Sequence, residues 1–278
     1  MRAGIGPGEP FPPGWWRHVR RERMEAIAAF IGDLEVDIAV LQEVALGTVD
    51  GSVIDQPAEL GRLTGLEARY AALHHYTLVD PDGARAAGAV LWGNALLSRL
   101  PIASAAARAL PVPGDDDLIE PAGTLDRRTG RVTAEAGVRY ADAGMGPREA
   151  RVGLEATVVV EGLPIRILGT HLAYAGRAQR LAQAEELVRL AADTPRVVVA
   201  GDLNAAVDDP ELDPLRAVLV DAFTATGTPP GDPARESCGR QPIDHVFVRG
   251  LRPETCRVAR EAGDLSDHWP VVVELASA

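Results

Sequence analysis

The sequence predicts an α/β fold in which helices cover either one mixed sheet or two stacked sheets. Three observations carry that prediction. Short apolar runs rich in β-branched residues, such as 36–41 (VDIAVL) and 196–201 (RVVVAG), read as buried strands. Amphipathic stretches alternate with such runs early in the chain, and hairpin signals replace the alternation later. No repeat of fixed period and no linker divides the 278 residues, so one domain over 17–278 is expected behind an irregular Gly/Pro-rich lead-in at 1–16.

Taken in order, the first element is a helix over about 17–34, because Ile27, Phe30, Ile31 and Leu34 fall on one face. The 36–41 strand follows, then a loop at 47–57 and a short helix at 58–64. Strands are expected at 72–79, 89–98 and from Pro101 to Leu110. Residues 111–130, with an acidic triplet and several Pro and Gly, read as a surface loop with a solvated tip. Segments 154–160 and 165–169, joined by Glu161-Gly162-Leu163-Pro164, read as a hairpin. A helix over 177–192 places Leu181, Ala184, Leu187, Val188 and Ala191 inward, with charges opposite. Strands at 196–201, 243–248 and 269–275 complete the set.

Composition narrows the function. Acidic residues exceed basic ones by 12, which disfavours an electrostatic grip on duplex nucleic acid. All the basic residues are arginine, so Schiff-base chemistry and a phosphate-loop lysine are excluded. No run approaches the ~18 apolar residues of a membrane span, and the N-terminal residues lack the apolar core of a secretory signal. Cys238 and Cys256 are too few for a disulfide framework and are expected as reduced thiols in a cytoplasmic, monomeric protein.

Five segments share one design, an apolar strand beside polar residues. They are Gln42-Glu43 after VDIAVL, Thr170-His171 after IRILG, Gly201-Asp202-Leu203-Asn204 after RVVVA, Asp244-His245 within IDHVFV, and Ser266-Asp267-His268 before WPVVVEL. Each alone is an ordinary turn or strand end; the set implies groups gathered where substrate and solvent meet. Glu43, Asp202, Asp267 and Asn204 offer oxygen ligands, which suit Mg²⁺ or Mn²⁺ rather than Zn²⁺. A hard cation with imidazoles and carboxylates suits phosphoryl transfer to water.

LQEV, THL, GDLN, IDHVFV and SDHWPV, in this order, together with GNALLSRLPI at 93–102, resemble the endonuclease/exonuclease/phosphatase superfamily, the deoxyribonuclease-like fold. The resemblance runs from about Arg17 to Leu275. It implies a four-layer α/β sandwich, two mixed β-sheets face to face with helices outside, and metal-dependent hydrolysis of a phosphoester. It also implies roles. Glu43 is the principal ligand of Mg²⁺ or Mn²⁺, with Asp267 near the same or a second ion. Asp202 orients or deprotonates the attacking water, Asn204 holds phosphate or water, and His268 pairs with Asp244. His171 is the second imidazole at the phosphate; whether Asp202 or His268 is the base stays open.

The family's first strand ends in Trp-Asn or Phe-Asn. This chain has only Asn94 and Asn204, neither ahead of Gln42. A relaxed form of that strand at 2–6, or a start lying upstream, are the two readings. Among arginines near the motifs (99, 148, 151, 177 and 180), Arg151 is the foremost substrate-binding candidate, because it opens the strand leading to His171. The basic cluster Arg17, Arg20, Arg21 and Arg23 reads as a solvated helix face. The expected substrate is a small-molecule, lipid or nucleotide phosphoester. Nucleic acid is second, since aromatics are scarce as stacking platforms. A catalytically silent binding module that kept the fold is the alternative of another class.

Overall fold

The computed structural model describes residues 21–49, 52–79, 86–113, 122–126, 132–134, 151–174 and 176–277. In chain order the elements are α1 (Arg21–Asp33), β1 (Ile38–Val49), β2 (Ser52–Asp55), α2 (Gln56–Thr64), β3 (Glu67–Val79), β4 (Ala86–Ser98) and β5 (Ile102–Leu110). There follow β6 (Ala122–Asp126), β7 (Val132–Ala134), β8 (Arg151–Val160), β9 (Leu163–His171), α3 (Arg177–Ala191) and β10 (Val197–Asp202). The remainder are α4 (Asp213–Val218), β11 (Val220–Asp221), α5 (Ala222–Ala225), β12 (Asp244–Arg249), β13 (Leu251–Val258) and β14 (Val271–Ser277).

Among the described residues, twelve strands form two mixed sheets, and β13 and β14 pair as a separate two-stranded antiparallel sheet. The first has the order β2-β1-β4-β3-β6-β7, antiparallel except where β6 joins β3. The second has the order β11-β12-β10-β9-β8-β5, and there only β9 and β10 are parallel. Ile38 and Val40 of β1, Ala71 and Leu96 pack against Val152, Leu154, Ile167 and Val198, so the two sheets lie face to face. Behind the first sheet, α1 and α2 cover Ala39, Leu41, Ala68 and Leu97. Behind the second, Ala184, Leu187 and Ala191 of α3 and Leu215 of α4 cover Leu168, Val197, Val199 and Phe247. This is the expected four-layer sandwich, and period-two alternation along β1 and β10 builds it.

Local chemistry explains several boundaries. Asp55 accepts a hydrogen bond from the Ala58 N–H (2.9 Å), Pro57 sits in the first turn, and Gly65 closes α2 at φ 72°. The β8–β9 hairpin turns on Glu161 and Gly162, both at positive φ (50° and 81°). That two-residue turn lets Leu163 and Pro164 pair with Val160 and Val159 instead of lying in the loop.

Four expectations need correction. Residues 47–49 and 52–57 are not loop: β1 runs on to Val49, β2 pairs with it, and Gln56 and Pro57 open α2. A bulge between Leu41 and Val44, with Glu43 at φ 57°, lets the strand resume its pairing with β4 beyond the polar pair. The 111–130 segment contains β6, and β13 is a strand where none was expected, pairing with β14 close to the strand expected at 269–275. The inward face of α3 holds Gln179 and Gln183 with Ala184, Leu187 and Ala191, while Leu181 is 37% exposed. The lead-in at 1–16, the reading of 2–6 and the acidic triplet lie outside the described residues. Among the described residues, no helix is long and apolar enough to cross a membrane. Cys238 and Cys256 are both free thiols.

Candidate functional site

The parallel pairing of β9 with β10 sets His171 opposite Asp202, and the antiparallel pairing of β10 with β12 sets Asp202 opposite Asp244. Three of the five polar segments are therefore neighbours by register alone. Gly201 makes the β9–β10 approach possible. A Cβ there would sit 1.9 Å from the Thr170 carbonyl oxygen, and its φ of 144° is one that side chains rarely adopt. The same Cβ would lie 3.1 Å from Gln42 Nε2, so the β1 bulge lies against this end of the second sheet. Gly169 does the same one residue pair earlier, where a Cβ would meet Val40 at 2.7 Å.

His171 Nε2 lies 3.3 Å from Asp202 Oδ2, and His268 Nε2 lies 4.0 Å from the same oxygen. The other ring nitrogen of His268, Nδ1, lies 2.7 Å from Asp244 Oδ2. Asp244 Oδ2 also accepts a 2.7 Å hydrogen bond from Ser237 Oγ. Asn204, at φ 50°, donates its N–H to Asp202 Oδ1 (2.9 Å) and its Nδ2 to the Leu172 carbonyl (2.9 Å), tying the ends of β9 and β10 together.

Electrostatics follow from this packing. Burial, then the charge of Asp244, push the Asp202 carboxyl up to about 7; His268, the Asn204 N–H and Arg151 pull the other way. Burial also works to raise Asp244, but its bonds from His268 and Ser237 outweigh it and hold the carboxyl below the usual range. For His268, burial opposes the charged ring. The bond to Asp244, the Cys238 thiol and the nearby carboxylates win, and push it up to about 11. His245, the other half of the Asp244-His245 pair, is buried, bonds the Ala205 carbonyl (2.9 Å) and is held below the usual imidazole range by burial.

Asp202, Asp244 and His268 each offer a ligand atom, all within 4.8 Å of one another, and they are the one such group among the described residues. Two carboxylates packed this closely, one of them held near neutrality, form a donor set that fits a hard divalent cation. Glu43, half-buried in the β1 bulge, and Asp267, half-buried just before β14, stand outside that group. Arg151 is buried at the start of β8, in register just beyond Gly153 opposite Thr170, and its charge is felt at Asp202.

Two other arginines have structural work. Arg177 and Arg180 both pair with buried Glu211, and Arg180 also donates to the Ala173 and Tyr174 carbonyls. With Gln183, which accepts from the Ala173 N–H, Arg180 fixes the segment following His171. Arg148 lies outside the described residues. Ser237 escaped the sequence reading, for it belongs to no apolar strand; its only signal is position, seven residues ahead of Asp244.

The sequence profile described as the Endonuclease/Exonuclease/phosphatase family matches residues 18–268. The chain belongs to that family. It is a family of phosphoester hydrolases whose members typically use a divalent metal. No curated protein matches the sequence. Among solved structures, an endonuclease/exonuclease/phosphatase from Beutenbergia cavernae aligns at TM-score 0.65 and 23% identity, over 92% of this chain and 66% of that one. A mannosyl-6-phosphatase from Bacteroides thetaiotaomicron aligns at 0.56 and 17%, over 92% and 91%. Humanized D. rerio TDP2 aligns at 0.56 and 14%, over 92% of each chain. At these identities the likeness is one of fold, and it matches the four-layer sandwich seen here.

Proposed function

We propose that the protein is a Mg²⁺- or Mn²⁺-dependent hydrolase of a small-molecule, lipid or nucleotide phosphoester. The observation that carries the reading is one carboxylate, Asp202, buried between the imidazoles of His171 and His268. In the metal-free protein its carboxyl is raised to about 7 by burial and by Asp244; a bound divalent ion would draw that value down and leave Asp202 ionised and able to accept a proton at neutral pH. On the roles that the family resemblance implies, Glu43 and Asp267 would hold the ion, and Asp202 and Asp244 offer further ligand oxygens. When bound, the ion supplies positive charge to the phosphate oxygens.

The chain's own residues divide the remaining work. Asp202 takes the proton of the attacking water. Asp244 holds the His268 ring through Nδ1, keeps it protonated, and turns Nε2 toward the Asp202 side of the site. His268 thus serves as a cation and donor to the phosphate rather than as the base. His171 is the second donor, Asn204 sets the water's position through its hold on Asp202, and Arg151 adds a fixed positive charge for the ester. The name of one structural neighbour, a mannosyl-6-phosphatase, is consistent with a small ester as substrate.

A panel of phosphomonoesters and phosphodiesters, with bis(p-nitrophenyl) phosphate and plasmid DNA among them, tests the reading. Turnover of a small ester that requires Mg²⁺ or Mn²⁺ and stops in Glu43→Ala is expected, with DNA left intact. Absence of metal-dependent turnover across the panel contradicts a hydrolase, and efficient DNA cleavage contradicts the small-ester assignment.

A further inference from the structure

We propose that Ser237 is a positioning residue for the imidazole–carboxylate pair, acting on both of its members from one buried turn; the proposal rests on the hydrolase reading above. Ser237 is wholly buried, at the head of a turn closed by the Cys238–Gln241 bridge, with Gly239 at φ 57°. Its N–H donates to the Gln241 carbonyl (3.1 Å), so the backbone of the residue is fixed before its side chain is considered.

The hydroxyl has one proton and two acceptors in reach. The Asp244 Oδ2 contact is 2.7 Å and the Gln241 carbonyl contact 3.5 Å, so the proton goes to the carboxylate. The same Oγ accepts the Asp244 N–H at 3.2 Å, gripping that residue by backbone and side chain together. Asp244 Oδ2 is also the oxygen that meets His268 Nδ1. Two short hydrogen bonds on one oxygen fix the carboxylate's rotation and present Oδ2, not Oδ1, to the ring. The third grip is on the other partner: the Ser237 carbonyl accepts the N–H of Trp269 at 2.7 Å, which anchors the backbone next to His268.

Removing the hydroxyl frees the Asp244 carboxylate to rotate while leaving every group that touches substrate in the protein. The effect therefore falls on the chemical step rather than on substrate binding. A hydrogen bond to a charged group is strong enough that its loss should lower kcat by about tenfold to a hundredfold.

The test uses full-length wild type, Ser237→Ala, Ser237→Cys and Ser237→Thr, assayed on bis(p-nitrophenyl) phosphate with Mn²⁺. A second, activity-independent readout is the low-field proton NMR signal of His268 Nδ1–H, assigned by its loss in His268→Gln. The expected result is a lower kcat with unchanged KM in the Ala and Cys variants, and a shifted or broadened His268 signal in both. Ser237→Thr, which keeps the donor, should restore kcat and the signal. Wild-type kcat with an unmoved signal in Ala or Cys overturns the proposal, as does a kcat loss that leaves the signal unmoved. If wild type turns nothing over and the signal still shifts in Ala and Cys and returns in Thr, the positioning role stands and the hydrolase reading fails.

Discussion

Asp202 carries both the largest expected catalytic effect and a measurable stability penalty. Its carboxyl is ordinary in the unfolded chain, near 3.9, and raised to about 7 in the folded one. Below about pH 4 both states are protonated and the group is neutral in its effect. Between about 4 and 7 the unfolded state releases its proton first, so stability falls as pH rises, and above 7 the full penalty of a few kcal/mol is present. Asp202→Asn removes that penalty. The metal-free variant should melt roughly 5 °C above wild type at pH 8 and level with it at pH 4, while kcat falls by about 10²- to 10⁴-fold. Thermal melts across pH check this, and equal melting at pH 8 contradicts it. At this scale the sequence displayed a good deal. The Asp244–His268 pairing is found, and His171 meets Asp202 where two strand ends were expected to deliver them. Ser237 was invisible, because a hydroxyl in a turn carries no periodicity and only the folded register brings it to Asp244.

Elements place these side chains, and a few residues without bulk decide how closely elements approach. Gly201 is the sharpest case. Ala at this position puts a Cβ into the Thr170 carbonyl, a backbone atom that cannot move aside like a flexible side chain, and demands an unfavourable φ as well. Gly201→Ala should cost about 3 kcal/mol or more in urea denaturation and separate His171 from Asp202, with loss of activity. An unchanged midpoint contradicts that view of the β9–β10 seam. Strand runs such as 196–201 were legible because both faces are buried and the apolar residues are continuous. The length of β1 was not, since the polar pair Gln42-Glu43 interrupts the pattern and a bulge with a left-handed Glu43 is needed to carry the strand past it. The face of α3 was misjudged for a related reason. Gln179 and Gln183 look solvent-facing by type, yet both are buried, and Gln183 spends its amide on the segment after His171.

Among the described residues, the two sheets meet through β1, β3 and β4 on one side and β8, β9 and β10 on the other, and the candidate site lies where the β1 bulge and the ends of β9 and β10 approach. The layer order was legible from strand and helix patterning joined to the family resemblance; how the β1 bulge seats against the second sheet was not, because register between sheets is set by pairs such as Val40 against Gly169. The acidic excess of 12 acquires a partial explanation on the proposed reading, since Asp202 and Asp244 are packed where a bound divalent ion would offset their charge. On the proposed reading, so acidic a chain is expected to favour small esters over long polyanions. The central claim is that this one site directs water at a phosphorus atom. Hydrolysis of the preferred small ester in ¹⁸O-enriched water with Mn²⁺, followed by ³¹P NMR, tests it most directly. The account predicts one ¹⁸O in the phosphate product, none in the alcohol, and signal growth abolished by Asp202→Asn. Label in the alcohol, or unimpaired hydrolysis by Asp202→Asn, would contradict it.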